Sequence, residues 1–141
     1  MVLTTACVAC MGPDNEPEKR PTASVNDVMT DVITPASNTL WSVEDPQSDA
    51  EWQVLSAAAI ALVDASEAIR QGGSGPNDME WAANPAWQAF LNTLAGAASD
   101  ARDAAAAKDL DSLLNANDVL YPPCEECHLQ FHPGVSEQEF N

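Results

Sequence analysis

The chain has 141 residues, 45% of them apolar, which is enough for one domain with a core and too few for two. Its 22 acidic residues face 5 basic ones, for a formal net charge of −17. Such a surface repels nucleic acid and anionic lipid, so neither is an expected partner; it suits basic partner proteins or plain solubility.

The N-terminal "MVLTTACVACMG" is small and apolar and precedes the polar, Pro-rich "PDNEPEKRPTAS". The pair reads as the apolar region and processing site of an export signal that lacks its basic start. Small residues ahead of Cys7 or Cys10 also resemble a bacterial lipoprotein processing site, although neither cysteine has Leu three positions before it. Residues 1–22 are therefore expected to be an export-signal remnant, lipoprotein-like, with a polar linker. The expected location is periplasmic or otherwise exported, with a membrane tether through a lipidated Cys7 or Cys10 as one option. The plainer alternative is a loose terminus with two incidental thiols. No apolar run reaches the roughly 18 to 20 residues that span a bilayer.

Four helices follow in chain order. Ser24 with Asp27 is an acidic capping box, and Val25, Val28, Met29 and Val32 repeat at helical spacing. Pro35 is expected to bend this helix, with Ala36, Leu40 and Trp41 carrying the apolar face on to about Val43. Ser48 with Glu51 caps a second helix, whose stripe is Trp52, Leu55, Ala59, Leu62 and Ile69, widened by Ile60 and Val63. "RQGGSGPND" ends it near Gln71 in a loop expected to be flexible. Asn84 before Pro85 starts a third helix, with Trp87, Phe90, Leu91 and Leu94 inward and an Ala-rich run to Ala107 that lets a neighbour approach closely. Asp109 caps the fourth, whose core face is Leu110, Leu113, Leu114 and Leu120. There is no sustained period-two run and no hairpin signal. The expectation is an all-α fold, an antiparallel four-helix bundle over 23–133, with 134–141 as a tail.

The chemistry is concentrated in "CEECH", Cys124 to His128. On a helix Cys124, Cys127 and His128 fall on one face. Two sulfurs at that spacing can add to the two vinyl groups of one porphyrin while the imidazole reaches its iron, and C-x-x-C-H is the attachment signature of c-type haem. Zinc is a second option, because His132 completes Cys-x2-Cys-His-x3-His; a continuous helix would hold Cys124 and His132 roughly 12 Å apart along its axis, so the helix would have to unwind into a knuckle. A redox dithiol is weaker, since that motif accompanies strands that this chain lacks. "CVAC", Cys7 to Cys10, has the same thiol spacing with Met11 in place of His and is not expected to carry haem.

With that motif near the end of "NANDVLYPPCEECHLQFHP" and Phe131 three residues after His128, the chain resembles the class II c-type cytochromes, the cytochrome c-prime group. The resemblance covers about residues 22–133. It implies one covalent haem c inside the bundle, with Cys124 and Cys127 as thioether sites and His128 as proximal iron ligand. It also departs from the group: His132 stands where a basic residue is usual, no Arg lies between Ser24 and Trp41 to meet the haem propionates, and Pro122 and Pro123 should kink or restart the last helix.

The sixth iron position decides between electron transfer and gas binding. His132 lies on the same helix as His128 and so on the same side of the porphyrin. Met29 is the candidate distal ligand by analogy with class II members that use a first-helix Met; the alternative is a Met that fills a gap in the core. Met11 and Met79 are poorer candidates. Trp41, Trp52, Trp87 and Phe90 read as packing. No substrate pocket or catalytic base is evident, so the expectation is a mono-haem electron-transfer protein, not an enzyme. Its expected partners are redox proteins with basic docking surfaces, and a homodimer is an open option. A five-coordinate gas-binding cytochrome and a zinc-stabilised helical interaction protein are the alternatives.

Overall fold

The computed structural model describes residues 22–132, which are helical throughout their regular structure, with no strand among the described residues. Helix α1 (Val25–Val28), a π-helical segment (Met29–Ile33) and α2 (Thr34–Trp41) follow one another without a break. Then come α3 (Asp49–Arg70), α4 (Asp78–Ala82), α5 (Pro85–Ala107) and α6 (Leu110–Phe131). The leader-like segment with Cys7, Cys10 and Met11, and the tail 133–141, lie outside the described residues.

All four expected N-caps form. Ser24 Oγ accepts from Asp27 N–H at 3.1 Å while Asp27 Oδ2 accepts from Ser24 N–H at 2.9 Å. Ser48 and Glu51 make the same reciprocal pair. Asn84 Oδ1 accepts from Ala86 N–H at 2.9 Å, and Asp109 Oδ1 from Ser112 N–H at 3.0 Å. Each satisfies N–H groups that a helix start leaves unpaired. The α5–α6 connection is only Lys108 and Asp109, and it closes because Lys108 adopts the left-handed conformation at φ 55°.

The region ahead of Pro35 carries a feature the sequence did not announce. The preceding turn is wound wider: Thr34 N–H reaches back five residues to the Met29 carbonyl. Proline cannot donate to the carbonyl four residues before it, and its ring crowds that carbonyl. A turn that takes in one extra residue relieves the crowding. It also brings Ile33 into the core beside the half-buried Met29.

α3 packs against α5, α5 against α6, and both α2 and the π segment against α3. α6 meets α2 through Asn117, whose Nδ2 donates to the Leu40 carbonyl at 2.8 Å. Leu40, Leu62, Ile69, Trp87, Leu91, Leu113 and Leu120 are fully buried; each contributes ~1.5–3 kcal/mol relative to exposure. The alanines of α5 do as expected, with Ala97, Ala98, Ala101, Ala104 and Ala105 buried at the contacts. Ile60 and Leu114 do not, and both face solvent. α3 is long and apolar enough to cross a membrane by length and composition, contrary to the expectation that no segment is. Its apolar content is accounted for by the face it buries: Trp52, Leu55, Leu62 and Ile69.

The loop after α3 is more ordered than its composition suggests. It contains α4, and Asp78 at the start of α4 is buried. Asp78 Oδ2 accepts from the backbone N–H of Val25 and of Gly75, both at 2.8 Å. A Cβ on Gly73 would collide with Asp78 Oδ2, so glycine is required there by close approach. α6 does not restart at Pro122 and Pro123 but runs through both as one helix.

Candidate functional site

Because α6 stays wound through its prolines, Cys124, Cys127 and His128 share one side of it, and that side faces a cleft. The cleft encloses about 180 Å3. The π segment and α2 contribute Met29, Ile33, Ser37 and Trp41 to its lining. Phe90, Leu91 and Leu94 of α5 form its apolar floor. The three motif residues and Met29, distant in sequence, thus line a single cavity.

Cys127 is buried and Cys124 half-buried. Burial pushes the Cys124 thiol up to about 11, and burial together with the adjacent Cys124 pushes Cys127 up to about 12. Cys124 Sγ donates to the Leu120 carbonyl at 3.2 Å. Thiols held protonated are poor redox nucleophiles, since that chemistry uses the thiolate. The zinc knuckle does not form: among the described residues no three His, Cys, Asp or Glu side chains converge as a metal site. His132 ends α6, its N–H bonded to the His128 carbonyl at 2.9 Å.

The donor set fits a c-type haem in kind: two thiols, an imidazole and a thioether on one cavity, with apolar walls. The enclosed volume is below the ~300–1000 Å3 usual for ligand sites. A porphyrin would fit only with the helices slightly parted or with one edge in solvent. Among the described residues no Lys or Arg lines the cleft, so cofactor carboxylates would find Thr34, Ser37 and Asn38 there in place of cations, beside the acidic Glu125. This matches the missing first-helix Arg.

Phe131 does not line the cleft but joins an aromatic cluster that includes the cleft residue Phe90. Its ring packs edge-on to Trp87 at 5.2 Å and to Trp81 at 6.1 Å, with Phe90 at 6.4 Å. Trp87 is anchored by its indole N–H to the Ile69 carbonyl at 3.1 Å. Trp52 and Trp87 are core residues as expected, whereas Trp41 is 40% exposed and stands at the cleft mouth. Met79 is exposed on α4 and does not line the cleft. Sequence reasoning missed Ile33, Ser37 and Tyr121 as lining residues; Pro35 was the only local signal for the widened turn that sets the first two. Neither a family model, a curated protein nor a solved structure matches this chain.

Proposed function

We propose that the chain is a mono-haem c-type cytochrome that carries electrons outside the cytoplasm and is not an enzyme. The long helices would close as an antiparallel four-helix bundle around one covalent haem c. The observation that carries this reading is the convergence of Cys124, Cys127, His128 and Met29 on one cleft. Bound there, haem supplies one-electron cycling between ferric and ferrous iron. Cys124 and Cys127 would hold the porphyrin as thioethers, and His128 and Met29 would supply ligands to the iron. Phe90, Leu91 and Leu94 would exclude water, which together with the iron ligands would set the potential. The export reading rests on residues 1–22, and the redox partner is expected to be basic, to match the charge of −17.

The test is the absorption spectrum of protein made together with haem-attachment machinery, and haem staining on a denaturing gel. Covalent haem and a low-spin six-coordinate spectrum are expected. Changing both Cys124 and Cys127 to Ala should abolish the stain, and Cys7→Ala with Cys10→Ala should not. A high-spin spectrum that responds sharply to carbon monoxide would instead support gas binding, which the apolar α5 wall also suits. Zinc without haem by elemental analysis would overturn both.

A further inference from the structure

Outside the cleft, where the end of α2 meets the middle of α6, lies an open groove lined by Trp41, Leu114, Asn117, Asp118, Tyr121 and Pro122. Trp41 and Tyr121 are 40% and 43% exposed and meet edge to face at 6.0 Å, and both also line the haem cleft. Every distinctive group here favours a cation. The two rings offer π faces. Asp118 offers an exposed carboxylate, and its carbonyl is without the usual in-helix donor because Pro122 has no N–H. Asn117 lines the groove and is only 7% exposed, and its Oδ1 has no hydrogen-bond partner among the described residues, a costly condition for a buried acceptor. Leu114, 42% exposed, offers apolar surface for an aliphatic stem. Among the described residues no Lys or Arg lines the groove.

We propose that this groove receives an arginine side chain from a basic partner protein. A guanidinium is planar enough to stack on Trp41 or Tyr121 and presents a fork of donors to the Asp118 carboxylate and the neighbouring acceptors; the compact, strongly hydrated lysine ammonium does this less well. The proposal deepens the cytochrome reading by naming what the redox partner presents, at a point whose aromatic rings also border the cofactor cleft.

The experiment is calorimetric titration of the full-length protein with a capped arginine tetrapeptide and its lysine counterpart, with haem content read separately from the visible spectrum. The arginine peptide should bind about threefold or more tighter than the lysine peptide. Asp118→Asn and Trp41→Leu should each weaken it by about three- to tenfold and erase the preference. Asp64→Asn, the same charge change on the exposed face of α3, should leave it unaltered. No binding, equal affinity for the two peptides, or equal loss in Asp64→Asn and Asp118→Asn would overturn the proposal. Asp118 is exposed, so that variant decides the matter if Trp41→Leu fails to fold. Groove binding in protein that takes up no haem would remove the cytochrome reading alone.

Discussion

The backbone N–H of Val25 is held at 2.8 Å by Oδ2 of Asp78, a buried carboxylate 53 residues further along the chain. This bond fixes where α1 begins, and the π segment with Met29 follows four residues later. Removing the carboxylate strands a buried donor, Val25 N–H, and a part-buried one, Gly75 N–H. Asp78→Ala is expected to cost about 3 kcal/mol, and Asp78→Asn, which keeps an acceptor, about half as much. Urea unfolding measures both. A loss below about 0.5 kcal/mol in Asp78→Ala would mean that α1 is positioned by other contacts.

Met29→Leu tests the role of the thioether. The swap nearly conserves volume and should cost under about 1.5 kcal/mol. A sulfur ligand favours ferrous iron, so its loss should lower the reduction potential and convert the spectrum to high-spin or water-bound. An unchanged spectrum and potential would make Met29 a core residue.

The thiols give a pH dependence with a definite sign. Folding raises both from an ordinary 9.0, to about 11 for Cys124 and about 12 for Cys127, so the folded state binds protons that the unfolded chain gives up. This contribution is complete below pH 9 and is lost as pH rises through 11 to 12. Protein made without haem should therefore lose stability over that window. The loss should shrink when both cysteines are changed to Ser, and the difference between the two urea-midpoint curves isolates it from Lys and Tyr titration. Coincident curves would contradict the burial of these thiols.

Pro122 is exposed inside α6 and deprives the Asp118 carbonyl of its donor. Pro122→Ala restores the bond at the cost of a freer unfolded chain, with an expected net gain of about 1–2 kcal/mol. Thermal unfolding checks this; a lower melting temperature would show that the helix is shaped around the ring. Pro123, buried against the cleft, is expected to show no such gain.

What the sequence revealed and what it hid divide along a physical line. The caps at Ser24, Ser48, Asn84 and Asp109 were legible because a cap is made by residues within three positions of one another. The co-facing of Cys124, Cys127 and His128 was legible because helical geometry alone delivers it. Asp78 was not legible, since nothing local separates a carboxylate that binds a distant helix start from one in water. The widened turn at Met29–Ile33 was likewise hidden: Pro35 announces a disturbance, but nothing local says that the chain takes in an extra residue ahead of it. Continuity of α6 through two prolines is a case of tertiary burial, here of Leu120, Pro123 and Cys127, overriding local preference.

The burial of Cys127, 6% exposed and held protonated, bears on the order of events in the protein's making. On the cytochrome reading, a finished fold would admit a porphyrin to that sulfur only with the helices parted. The cofactor would then be joined most readily while α6 is still apart from α5. The two helices, tethered by only Lys108 and Asp109, can then fold down over it as a hairpin. Haem would act as a nucleus for folding, and a chain that closed first would be trapped empty. Biogenesis then becomes a race between attachment and collapse, and slowing collapse should raise the yield of holoprotein.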